Sequence, residues 1–282
     1  MASKLSPLAS SAVSDSGLPD FRQPPVDEVA LSIQFPPIQG FNVQHYGLYW
    51  QRVRGEYPRF EVQQPIRNMM EQFGPTTVGH QIGFQLLALP EIRGWYLDQS
   101  GNRLVQVQRD RFVHNWRKLT GNETYPRYPS MRESLKNEWD RFCEFLKSEK
   151  LERPTVNQCE VLYVNNVEYD KGWSGYGELD KVVATLATPR SKNRFLPPPE
   201  RVSMQVIYRL AEDAGRLYVS VSPVIRARDG KEVLQMSLTA RGAPKSSSNE
   251  DVFDWLDLGR KWVVRGFADF TTPEMHVVWG KQ

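Results

Sequence analysis

The densest group of side chains able to do chemistry is RDRFVHNWRK, residues 109–118. Read as an extended strand, it sends Arg109, Arg111, Asn115 and Arg117 to one side and Phe112, His114 and Trp116 to the other. Arginine beside aromatic rings can grip phosphate oxygens and stack bases. A long amphipathic edge strand carries the same pattern, with arginine stems covering apolar surface, and that plainer reading weighs more. A second group is more diffuse. Alternation along several strand-like segments collects Gln34, Gln81, Gln85, Gln106, Gln108, Gln205, Gln235, Ser220, Ser222, Ser237 and Thr239, with Arg209, Tyr218 and Arg241 joining them. Amides and hydroxyls on a sheet can donate to and accept from a ligand, a peptide or bases. A solvated sheet face is the plainer alternative, although such faces usually carry more Lys and Glu.

Reaction chemistry is hard to find. His45, His80, His114 and His276 fall in no zinc-ligand spacing. No nucleophile elbow, phosphate-binding loop or dinucleotide turn occurs, so neither cofactor nor metal is expected. WSGYG (173–177) reads as a turn. Cys143 and Cys159 lie in a helix pattern and a strand pattern, and read as two reduced, half-buried thiols of a cytoplasmic protein.

The elements that must position these residues follow from periodicity. The 282 residues suit one large or two small domains. The net charge of +3, from 36 basic and 33 acidic residues, is too balanced to imply nucleic-acid binding by itself. No apolar run is long enough to span a membrane, and residues 1–25 read as a flexible tail without a secretory core. VDEVALSIQF predicts a first strand, Asn42 caps a helix through about Tyr57, and Pro58 and Pro65 mark an irregular connection. A strand is expected at 78–88. Gly94–Tyr96 should open a hairpin that turns at DQSGN and returns along the whole of RLVQVQRDRFVHNW.

In PSMRESLKNEWDRFCEFLKSEK, Ser130 and Glu133 have capping-box spacing, and Leu135, Trp139, Phe142 and Leu146 form one apolar stripe. Beyond Pro154 come a strand at 158–168, a glycine-weakened helix in SGYGELDKVVATLA, and a Pro-rich basic loop at 188–202. Strands at 203–211, 216–226 and 232–241 follow. A helix capped by Ser248 presents Val252, Leu256, Gly259, Val263 and Phe267, and MHVVWG is a final strand.

Alternating strands imply antiparallel pairing with one apolar face. The expected fold is therefore two-layer α+β, a curved antiparallel sheet with helices on one face. Residues 26–155 and 156–282 would be two related strand–helix–three strands–helix halves, with GNRLVQV (101–107) and GKEVLQM (230–236) in equivalent places.

EVALSIQFPPI, VQVQRDRFVHNWRK, YPRYPSMRESLKNEWDRF and VLYVNNVE resemble a sporadically distributed family of uncharacterised prokaryotic proteins, over about residues 25–170. The resemblance implies no particular reaction. Patchy distribution implies horizontal transfer, which suits antiphage defence or toxin–antitoxin systems. The resulting expectation is a non-catalytic cytoplasmic recognition or scaffold protein that assembles with itself or with a neighbouring-gene product. The alternatives are a nucleic-acid or nucleotide sensor using Arg109, Arg111 and Trp116, and an enzyme of unrecognised type.

Overall fold

The structure, a computed structural model, describes residues 17–67, 69–71, 73, 91–186 and 195–282. In chain order its elements are β1 (Val26–Gln34), α1 (Val43–Val53), β2 (Arg59–Gln63), β3 (Arg93–Leu97), β4 (Arg103–Gln108), β5 (Arg111–Arg117) and α2 (Tyr128–Ser148). Then follow β6 (Gln158–Val167), β7 (Met204–Arg209), β8 (Arg216–Ile225), β9 (Glu232–Gly242), α3 (Asn249–Phe270) and α4 (Pro273–Val278). The nine strands form one open antiparallel sheet in the order β2-β3-β4-β5-β1-β6-β9-β8-β7. The fold is thus α+β. The strand expected at 78–88, with Gln81 and Gln85, lies outside the described residues.

Outward from the β1–β6 pair, the order is 1, 5, 4, 3, 2 on one side and 6, 9, 8, 7 on the other. Each side has its first strand innermost and its last strand next to it. That order corrects the pairing of GNRLVQV with GKEVLQM. Gly101 turns the β3–β4 hairpin and Gly230 the β8–β9 hairpin, whose counterpart by position is β4–β5. The β4–β5 turn is only Arg109–Asp110, which divides the expected long return strand into two. Alternation survives a two-residue turn, so periodicity alone does not reveal it.

One face of the sheet is apolar. Val29, Leu31 and Ile33 of β1, Phe112 of β5, and Cys159 and Val161 of β6 are fully buried. Trp139 of α2 meets Phe35 and Phe112 at ring-centroid distances of 5.8 and 5.6 Å. Tyr49 of α1 meets Tyr96 edge-on. A side chain at Gly259 of α3 would press on Val161, and one at Gly266 would collide with Leu217. The expected stripe Leu135, Trp139, Phe142, Leu146 is buried throughout. Within this core Glu138 receives the Tyr57 hydroxyl on one oxygen and lies 2.8 Å from His114 Nδ1 on the other.

Helix ends depart from expectation where proline intervenes. α2 begins at Tyr128, with Pro129 in its first turn, so Ser130 is already helical and caps nothing. Proline's fixed φ suits the first turn and moves the start upstream. The segment MHVVWG forms α4 rather than a strand: Thr272 accepts from the Met275 N–H at 3.3 Å, and Pro273 again opens the helix. In contrast α3 starts as expected, Ser248 Oγ accepting from the Asp251 N–H at 3.1 Å. The glycine-weakened helix reduces to 3-10 turns at Tyr176–Lys181 and Ala184–Leu186. Residues 17–25 of the expected tail are docked, because Phe21 inserts among Phe267, His276 and Trp279.

Two outcomes test this packing. Trp139→Ala should destabilise the fold by about 3–5 kcal/mol, the cost of truncating a large aromatic in a closed core; an unchanged denaturant midpoint would contradict it. At the β8–β9 hairpin, Lys171 and Arg226 hold the Glu168 carboxyl down at about 2 from its usual 4.5. A lowered carboxyl stabilises the fold above its unfolded value, and that stabilisation fades as pH falls through the folded value. Arg226→Gln should therefore weaken the protein more at pH 7 than at pH 2.5 in urea titrations.

Candidate functional site

The other face of the sheet is where the polar residues gather. Reading across the ladders, Gln106, Gln108, Arg111, Asn115, Ser32, Gln34, Gln158, Glu160, Ser237, Thr239, Arg241, Tyr218, Ser220 and Gln205 share it. Seven arginines stand on this face: Arg59, Arg93, Arg111, Arg117, Arg209, Arg216 and Arg241. None of the nine described strands contains a lysine.

The candidate residues divide between the two faces. Arg111, Arg117, Arg209, Tyr218 and Arg241 are on the polar face, whereas His114 and Trp116 point into the core and are 1% and 4% exposed. One surface ligand cannot touch both groups, so the arginine–aromatic strand is not a stacking platform. Arg109 sits in the β4–β5 turn, its Nε 3.4 Å from the Ile38 carbonyl and its own carbonyl accepting from the Ile38 N–H.

Although polar, the middle of this face is closed to water. Gln34, Gln108, Arg111 and Gln158 are 2–4% exposed. Much of the cover is the chain itself. Beyond β2, the described residues between Gln64 and Phe73 cross the strands as a strap. Gln108 brackets one residue of it: Oε1 accepts from the Ile66 N–H at 2.8 Å and Nε2 donates to the Ile66 carbonyl at 2.9 Å. Further along, Gln158 spans Met70 through its two neighbours, accepting from the Glu71 N–H at 2.9 Å and donating to the Met69 carbonyl. Gln34 Nε2 donates to Met70 Sδ. Gln108 is on β4 and Gln158 on β6, three strand spacings apart, or about 14 Å. The strap therefore reaches from one side of β5 and β1 to the other.

It ends in a cationic seat. Arg209, Arg216 and Arg241 are cross-strand neighbours on β7, β8 and β9. Like charges directly opposite each other are destabilising, so this row needs anions. Glu71 supplies one. Its carboxylate receives the Tyr218 hydroxyl at 2.8 Å and Arg216 Nη1, with Arg241 Nη1 at 3.7 Å. Glu160 takes Arg241 Nε at 2.6 Å, and Asp213 takes Arg209. Phe73 lies under Arg216 and Arg209, 4.4 and 5.1 Å from their guanidinium carbons. Burial, followed by the bond to Glu71, raises the Tyr218 hydroxyl pKa, so it stays a donor. Gly215 and Gly242 permit this close approach, since a side chain on either would strike the main chain of the neighbouring strand or turn.

Arg111 stands apart. Its Nη2 donates to Gln34 Oε1 at 2.6 Å, but its Nε is buried without a hydrogen-bond partner. No carboxylate reaches ion-pair distance of it among the described residues. Burial pulls its pKa down, partly offset by the fields of Glu160 and Asp110. Among the described residues no group of three or more His, Cys, Asp or Glu is placed to hold a metal.

Sequence reasoning missed Arg216, Gln158 and the strap. Arg216 has the same parity as Tyr218 and was legible by alternation. The strap docks through its main chain, which leaves no side-chain period to read.

Arg111→Met should leave the melting temperature unchanged or raised, because a buried guanidinium without a carboxylate costs desolvation that a thioether avoids. Gln34 Oε1 would keep its bond from Gln158 Nε2 at 3.3 Å. A fall of several degrees would show instead that the charge holds the fold. No family model matches the chain, and no curated protein does.

Proposed function

We propose that this chain is a non-catalytic recognition protein that holds an extended polypeptide against the polar face of its sheet. One observation carries the reading: Gln108 and Gln158 each offer an acceptor and a donor to main-chain groups of a segment crossing the strands. Such amide brackets suit a peptide backbone, which repeats one donor and one acceptor per residue. The partner is a second copy of the chain or a neighbouring-gene product, in the cytoplasm of a prokaryote. The resemblance to a sporadically distributed prokaryotic family suits a role in defence or toxin–antitoxin systems. We also propose that the two halves descend from one duplicated unit with its helices on the apolar face. The matching strand order on either side of the β1–β6 pair supports this.

Light scattering of the purified protein, alone and with its genomic neighbour, tests the reading. A stable complex burying more than about 1,000 Å² in total is expected. A strictly monomeric species in both samples at micromolar concentration would count against it.

The arginine-rich cationic face favours a second reading, nucleic-acid binding. Oligonucleotide affinity would then fall with salt at a slope of about −0.7 per phosphate contact for a single strand. Absence of binding at low salt would eliminate it.

A further inference from the structure

We propose that the strap is an internal stand-in for the true ligand, and that the face binds an extended acidic peptide. One carboxylate of this peptide would take the Arg216–Arg241–Tyr218 seat and a second would meet Arg111. The proposal rests on the polypeptide reading above and gives it a partner chemistry and a form of regulation.

Three observations lead to it. The first is the seat itself. Three arginines opposite one another across β7, β8 and β9 form a pre-built anion site, and in the free chain Glu71 occupies it. Arginine's planar fork matches a carboxylate in two bonds where lysine offers a point charge, and every cation that the described strands put on this face is arginine.

The second is Arg111, a buried guanidinium with an unpartnered Nε. It lies on β5, between the Gln108 bracket on β4 and the Gln158 bracket on β6. Among its described residues the strap's only carboxylate is Glu71, which goes to the Arg216–Tyr218 seat, and Arg67 is exposed. The occupant therefore satisfies one cationic position and fails the other. A ligand with one acid at the place of Glu71 and a second that reaches Arg111 satisfies both.

The third is how loosely the strap is held. Met69, Met70 and Phe73 are 54%, 48% and 37% exposed. Its attachment is main-chain hydrogen bonds, the Gln34–Met70 contact, the Phe73 ring against Arg209 and Arg216, and one carboxylate, with little apolar burial to hold it. Its departure would return Gln34, Gln108 and Gln158 to water, where their amides remain satisfied, so displacement leaves no buried polar group stranded. A ligand with the same backbone and one more matching charge would compete directly.

The test uses the full chain and three peptides: a copy of residues 64–73, QPIRNMMEQF; the copy with Arg67→Glu; and the copy with Glu71→Gln. Binding is measured by fluorescence anisotropy to the wild-type chain and to the Glu71→Ala chain, after equal melting curves show both to be folded. Trypsin cleavage after the exposed Arg67 reports release of the strap. The Glu71→Ala chain should be cut faster there than wild type, and should bind the copy more tightly than wild type does. On that chain the Arg67→Glu peptide should bind about tenfold more tightly than the copy, and the Glu71→Gln peptide about tenfold more weakly, as expected for gaining or losing a charge-assisted pair.

Equal affinity for all three peptides would overturn the acidic specificity and leave polypeptide recognition standing. Binding by none of them, with the strap shown by cleavage to be released, would overturn both. An unchanged cleavage rate in the Glu71→Ala chain would overturn the stand-in role of the strap. Tighter binding of a single-stranded oligonucleotide than of any peptide would replace the acidic peptide by nucleic acid and overturn the proposal.

Discussion

The sheet depends on the antiparallel pairing of β1 with β6. Each is the first strand of its side of the chain, and each lies innermost. Val29, Leu31 and Ile33 sit opposite Tyr163, Val161 and Cys159, so the joint is apolar on one face. On the other face the same register puts Ser32 opposite Glu160 and Gln34 opposite Gln158. A slip of one residue would turn every side chain of β1 to the wrong face. Both the core and the polar floor would be lost together, because Gln34 and Gln158 are brought side by side only by this register. β1 carries no glycine or proline, and its central residues are all buried, as a strand paired on both edges requires.

From that joint the polar face acquires an uneven character. Near β4 and β5 the groups satisfy one another: Gln106 accepts from Arg93 and Trp95 and donates to Asn115, which donates to Glu28. That chain of bonds draws on the sheet's own side chains, while Arg93 Nε and Arg111 Nε stay unpartnered. Near β8 and β9 the arginines outnumber their sheet-borne acids, and the balance comes from the strap. Buried polar networks are stable when every member is paired and costly when one is not. The contrast separates a part of the sheet bonded through its own side chains from a part completed by a crossing segment.

How much of this was legible in the sequence depends on which physical rule governed each element. β7, β8 and β9 fall within a residue or two of the alternation, and α3 starts at the residue its serine cap indicates, because burial on one face and a local hydrogen bond both leave marks in the chain. The apolar stripe of α2 was legible for the same reason, but its first turn was not, since Pro129 can stand inside a helix start as readily as before one. The two-residue turn at Arg109–Asp110 was hidden by unbroken alternation. β2 was masked by its flanking Pro58 and Pro65. Of the site, the glutamine and serine face was visible, as were Arg209, Tyr218 and Arg241. What brings them into use was not, because main-chain docking across strands has no residue signature.

The absence of lysine from all nine described strands sets the reactivity of the molecule. Acylation, amine-directed labels and amine cross-linkers modify lysine and spare guanidinium groups, so such reagents would decorate the helices and loops while the cationic face stays chemically silent. Lysine acetylation has no foothold on it either. Its charges can instead be masked by what occupies the face, as Glu71 does at the Arg216 end.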